Sequence, residues 1–161
     1  MRELIYNRLS VVNYARKWAF ERNPAYYDFE NLGGDCTNFA SQCIYAGAGV
    51  MNPTPTIGWY YYSLNNRTPS WTGVEYLYNF LVNNKGVGPY GKEVTQREAE
   101  VGDVLQLGDE NGHFYHTPVI VGKMGNRIFV AAHTYDAYMR PLDDYVYENV
   151  RFIHILGVRT Y

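Results

Sequence analysis

The chain has 161 residues, 47% of them hydrophobic and 19% charged, with a formal net charge of −2. This fits one domain, spanning 1–161, with enough apolar side chains for its own core. The slight negative balance and the lack of any Lys/Arg cluster argue against nucleic acid as a partner. No apolar run approaches the roughly 20 residues that cross a bilayer.

The opening Met1–Asn7 is too polar for a signal peptide, so the chain is expected to act where it is made or as a domain separated from its export signal. Residues 4–20 place Leu4, Ile5, Leu9, Val12, Ala15, Trp18 and Ala19 close to a helical stripe, which Asn23-Pro24 ends. Tyr26 to Gly34 reads as a loop into a second helix. That helix starts at Cys36, directly after Gly33-Gly34-Asp35, and should stop near Gly47 or Gly49. Asp35 or Thr37 is positioned to cap it, and Phe39, Ala40, Cys43 and Ile44 form its apolar face. Residues 50–71 are rich in Pro, Asn, Gly and aromatics and read as a long loop. A third helix is expected over 72–82.

After Gly91 the hydrophobic period changes to two, giving strands over 102–107, 115–123, 127–133 and 152–159. Helices first and strands later, joined by short turns, predict an α+β fold with an antiparallel sheet. The 17 tyrosines supply flat apolar faces with polar tips, suited to wet grooves or to half-buried filler.

A cysteine at a helix start meets unpaired N–H groups and the positive end of the helix dipole, which favour thiolate and can later hold an oxyanion. Two cysteines seven residues apart on one helix lie roughly 10 Å apart. A disulfide tolerates at most about 7 Å between Cα atoms, so Cys36 is expected as a free thiol and Cys43 as a core residue. The base is sought among four histidines. Lys123-Met124-Gly125-Asn126 reads as a hairpin turn. With Met124-Gly125 as its loop, His116 lies opposite His133; with Gly125-Asn126, His133 faces Pro118 and is diagonal to His116. Either register puts both rings on one face, roughly 5 to 8 Å apart, and a one-residue slip separates them. His154 reads as structural and His113 as solvated. Asp136 is a rival orienting group to His133. A Cys36/His116/His133 zinc site lacks supporting spacing, so no metal or cofactor is expected.

Gly34-Asp35-Cys36-Thr37-Asn38-Phe39-Ala40-Ser41-Gln42 resembles the nucleophile motif of the "putative amidase domain" family, an NlpC/P60-like branch of the papain-fold cysteine peptidases. Tyr6-Asn7-Arg8, Tyr14 to Ala19, Asn23-Pro24, Trp59-Tyr60, Ser70-Trp71 and His133-Thr134 extend the likeness over nearly the whole chain. The resemblance implies a nucleophile helix packed on an antiparallel sheet that carries the histidines. It assigns Cys36 as nucleophile, His116 as base and His133 as the third member, with Asp136 as the alternative. Tyr26 or Tyr27 would line the oxyanion site, and Trp59 and Tyr60 would border the substrate. The implied reaction is cleavage of an amide in the peptide stem of peptidoglycan, by a monomer outside the cell or at the cell wall, as a secreted domain or a phage-type lysin. A non-catalytic peptide-binding shell and an acyltransferase using the same thiol are the alternatives.

Overall fold

A computed structural model describes all 161 residues. Its elements in chain order are β1 (Arg2–Leu4), α1 (Arg8–Trp18), α2 (Cys36–Ala48), β2 (Tyr61–Ser63), β3 (Asn66–Arg67), α3 (Pro69–Thr72), α4 (Val74–Asn83), β4 (Gly88–Val94), β5 (Val104–Gly108), β6 (Phe114–His116), β7 (Val119–Met124), β8 (Arg127–Ala132), β9 (Ala137–Pro141) and β10 (Asn149–Thr160), with a 3-10 turn at Leu142–Asp144. The fold is α+β. Eight strands form one curled antiparallel sheet in the order β1-β10-β5-β7-β8-β9, with β4 also pairing β10 and β6 also pairing β5.

Alternation along the strands divides the core. Val104, Val119, Val121 and Ala131 face the helices and join the main cluster with Phe39, Ile44, Trp59, Trp71 and Leu77. Leu105, Leu107, Ile120, Ile128 and Val130 face the other way and pack with Leu142 and Phe152. Helix α1 is shorter than the sequence stripe. Asn7 caps it by accepting from Ser10 N–H, and the expected apolar positions Ile5 and Leu9 are 93% and 69% exposed. Ala15 and Ala19 bury as the stripe expects, and Val11 is buried where Val12 is only half-buried.

Helix α2 is buried nearly all round, with only Tyr45 and Ala46 outside the buried set. A helix in that position must pair its polar side chains internally. Trp71 Nε1 donates to Asn38 Oδ1 at 3.0 Å, and Trp59 Nε1 donates to Ser41 Oγ at 3.1 Å. Tyr14 Oη donates to Gln42 Oε1 at 2.5 Å. At Gly47 an added Cβ would lie 2.8 Å from the Asn7 carbonyl, so glycine allows α1 to start against the end of α2. Gly49 closes the helix with φ of 68°.

Candidate active site

Asp35 occupies the cap position of α2, yet its carboxylate does not cap the helix. It accepts instead from Phe29 N–H at 2.8 Å, Asn38 Nδ2 at 2.9 Å and His133 Nδ1 at 2.5 Å. The N–H groups of the first turn therefore lack the side-chain acceptor that a capping residue provides, and they sit at Cys36.

Cys36 is 8% exposed and, like Cys43, a free thiol. Its Sγ lies 3.8 Å from Thr37 Oγ1. The expected thiolate is not the resting state. Burial pushes the thiol above its ordinary range, helped by the charge of Asp35. The Thr117 backbone, the Thr37 hydroxyl and the Thr37 backbone pull the other way, without prevailing.

The two histidines do not share a face. Lys123 pairs Ile128 and Met124 pairs Arg127, so Gly125-Asn126 form the loop. A bulge then shifts the register between Ile120 and Gly122, and Val119 faces Ala131. Continued to the strand end, that register sets His133 beside Thr117, not beside Pro118 or His116. One residue of slip reverses the face. Accordingly, the His133 ring stacks on Phe39 of α2 with centroids 4.0 Å apart. His116 pairs with Leu107 across β5 and β6, and its ring lies 5.9 Å from that of Tyr145, on the side of the second cluster.

Neither nitrogen of His133 is free to align His116. Nδ1 meets Asp35 Oδ2, and Nε2 donates to the Trp18 carbonyl at 2.8 Å. Asp136 does not orient His116 either: it pairs with Arg22 at 3.0 Å. His116 has no hydrogen-bond partner, and no hydrogen bond joins a histidine to Cys36. Burial, followed by the charge of Arg140, pushes His116 down to about 4. The ring is therefore neutral at pH 7.

Trp59 does not border a cleft. It is fully buried, with its ring 4.6 Å from Trp71. Tyr60 is also buried and stacks on the exposed Tyr62. The Tyr26 ring packs on Tyr61 and Trp71, and burial raises its hydroxyl to about 12. Tyr27 is 43% exposed, and its carbonyl accepts from Asn38 Nδ2, which ties this loop to the first turn of α2. His154 is structural as expected: its Nδ1 is 2.8 Å from the buried Asp103 carboxylate. No three potential metal ligands cluster anywhere in the fold. A polar groove of about 590 Å³ between residues 52–57 and α4 does not include Cys36. Thr117 is the site residue that sequence reasoning missed, although alternation after His116 is a signal for it. Its Oγ1 is 3.0 Å from Thr37 Oγ1.

Residues 5–156 match the family described as "putative amidase domain". The chain belongs to that family. Its family description makes amide hydrolysis the reaction class to consider. Over 139 residues the chain is 37% identical to "Uncharacterized protein YhbB" of Bacillus subtilis (strain 168). That alignment covers 84% of this chain and 43% of the relative, so the chain spans less than half the length of the curated relative it matches. No solved structure matches significantly.

Proposed function

We propose that this domain is a papain-like, NlpC/P60-type cysteine hydrolase that cleaves an amide in the peptide stem of bacterial peptidoglycan. The observation that carries the reading is Cys36 at the start of α2, where Asp35 is diverted to His133 and leaves the first-turn N–H groups without a side-chain cap. Those groups stand where an oxyanion would form on an attacked carbonyl. His116 is the base in this reading. Its ring is neutral, held by no hydrogen bond, and precedes the residue whose backbone favours the thiolate. Because the ring lies by Tyr145 on the far face of the sheet, this reading requires the end of β6 to re-register and bring His116 to the sulfur side as substrate enters.

The thiol proton passes to His116 as sulfur attacks the carbonyl carbon. The tetrahedral intermediate collapses to a thioester when His116 gives that proton to the leaving amine. Water, deprotonated by His116, then cleaves the thioester and restores the thiol. His133 and Asp35 hold the start of α2 and touch no reacting atom. Tyr27 lines the entry in this reading, supported by the bond that ties its loop to Asn38 in the first turn of α2. The domain acts as a monomer at the cell wall or outside the cell.

The test is mass spectrometry of muropeptides released by the parent chain and by Cys36→Ala, His116→Ala and Cys43→Ala variants. The parent and Cys43→Ala should release the same new peptide ends. Cys36→Ala should release none, and His116→Ala should be at least about 100-fold slower. Release by Cys36→Ala would end the proposal. A peptide-binding shell without turnover is the second reading, favoured by the raised thiol and the missing imidazole–sulfur hydrogen bond. Stem-peptide binding by parent and Cys36→Ala alike, with no product from either, would select it.

A further inference from the structure

A continuous chain of side-chain hydrogen bonds leads from Cys36 along the helix-facing side of the sheet. Cys36 Sγ is 3.8 Å from Thr37 Oγ1, which is 3.0 Å from Thr117 Oγ1. Gln106 Nε2 donates to Thr117 Oγ1 at 3.3 Å and to the Val74 carbonyl at 2.8 Å. Arg151 donates to Gln106 Oε1 twice, from Nε at 2.9 Å and Nη2 at 2.7 Å. Its guanidinium is wedged 3.6 Å from the Tyr78 ring centroid and 3.9 Å from that of Phe114, with Glu75 on the solvent side.

The direction of this chain is set at its far end. Arginine only donates, so the Gln106 oxygen must face Arg151 and its amide nitrogen must face Thr117. Thr117 and Gln106 are both fully buried. Having accepted from Gln106, Thr117 has one remaining acceptor for its proton, Thr37 Oγ1. Thr37 is then left with the sulfur.

We infer that Arg151, Gln106, Thr117 and Thr37 form a directed hydrogen-bond relay that keeps a donor pointed at Cys36 Sγ. The four are positioning residues for the thiol. This deepens the reading of Cys36 as nucleophile and rests on it, but the relay can be measured without turnover. A hydroxyl donor favours thiolate over thiol, so losing it makes the sulfur harder to ionise. Arg151 acts only by fixing which way the amide points. The charged group beside the sulfur, Asp35, is unchanged in every variant below.

The experiment is the iodoacetamide alkylation rate of Cys36 against pH, read by mass spectrometry of the Cys36 peptide. Folding of each variant is checked by its melting curve. Thr37→Val removes the donor itself at nearly constant volume. Losing a hydrogen bond to the charged sulfur cuts the thiolate share at pH 8 about tenfold. The weaker-acid thiolate is a better nucleophile, so the rate there should fall about three- to fourfold. Thr37→Ser should restore it. Arg151→Met keeps an apolar chain beside Tyr78 and Phe114 and frees the Gln106 amide to turn. With the amide oxygen toward Thr117, both hydroxyls reverse and Thr37 no longer donates to the sulfur. This variant should slow alkylation about two- to threefold, and it decides the matter if Thr37→Val does not fold. An unchanged rate profile in folded Thr37→Val, or in folded Arg151→Met, overturns the relay. Failure of Thr37→Ser to restore the parent profile overturns it too. Absent muropeptide release with an intact relay profile would instead count against the proposed reaction.

Discussion

Replacing His133 by alanine separates an anchor from a catalytic group. In the structure both side chains of the His133–Asp35 pair are 1% exposed, and the ring also stacks on Phe39 and donates to the Trp18 carbonyl. Removing one partner of a buried pair leaves the other without compensation, at a cost of about 3 to 5 kcal/mol. Asp35 keeps Phe29 N–H and Asn38 Nδ2, which holds the cost toward the middle of that range, about 4 kcal/mol. For a domain of this size each kcal/mol lowers Tm by about 2 to 4 °C, so His133→Ala should melt about 8 to 16 °C below the parent. Far-UV circular dichroism against temperature and urea reads this directly. The double variant Asp35→Ala/His133→Ala should lose less than the sum of the two single variants, since each single change strands the same partner. A His133→Ala protein that melts within about 2 °C of the parent while hydrolysis falls 100-fold would refute the anchor and return the ring to the chemistry.

Three further outcomes are expected. His116 is about 4 in the folded chain and near 6.5 when unfolded, so the unfolded state binds more protons between those values. The His116 share of stability should therefore fall by about 3 kcal/mol as pH drops from 6.5 to 4, and His116→Phe should remove that share of the urea-midpoint shift. Tyr135 sits 86% exposed at φ of 61°, a conformation that costs a side chain about 1 kcal/mol. Tyr135→Gly should raise Tm by about 2 to 4 °C, and a fall would contradict the strain. Asp103 is fully buried and accepts from Arg8 Nη1 and His154 Nδ1, both at 2.8 Å, as well as from the Ile155 and Glu100 amides. Asp103→Asn should cost about 3 kcal/mol in urea denaturation, because it strips Arg8 of its buried counter-charge and loosens α1 from the sheet.

The parts of the fold legible in the sequence were those with a local cause. The Phe39–Ala40–Cys43–Ile44 spacing and Gly49 mark α2 to within a residue of its end, and Lys123-Met124-Gly125-Asn126 marks the β7–β8 turn without choosing between its two registers. Short edge strands such as β1 and β9 carry too few residues for a period to show. The fate of Trp59 depended on Ser41, eighteen positions away, whose hydroxyl accepts the indole N–H inside the core. Aromatic composition alone reads equally well as cleft wall and as filler. The histidine pairing failed on a single bulge. A glycine inside a strand pattern is a signal for such a bulge, and Gly122 was that signal. An added Cβ there would lie 2.9 Å from the Met139 methyl, so the close approach of β9 has a local trace after all.

The state of the Cys36 thiol is decided by the size of two opposing effects. A helix N-terminus stabilises a nearby negative charge by about 0.3 to 1 kcal/mol, reaching about 2 in buried geometry. Removing a thiolate from water works against this, and a side chain 8% exposed loses most of its hydration. The second effect wins at Cys36, where burial heads the causes of the raised thiol. A Gly-Gly-Asp-Cys start of a helix is thus insufficient to make a resting thiolate. Under the proposed reaction it supplies N–H groups for charge that arises only as the carbonyl is attacked, together with whatever donors the fold aims at the sulfur. The neutral His116 ring follows the same logic, since desolvation disfavours the imidazolium just as it disfavours the thiolate. In the proposed reaction, two neutral partners require the proton to move while the carbon–sulfur bond forms. In that arrangement the direction of the Thr37 hydroxyl bears on the barrier itself, because the charge it faces is largest at the transition state.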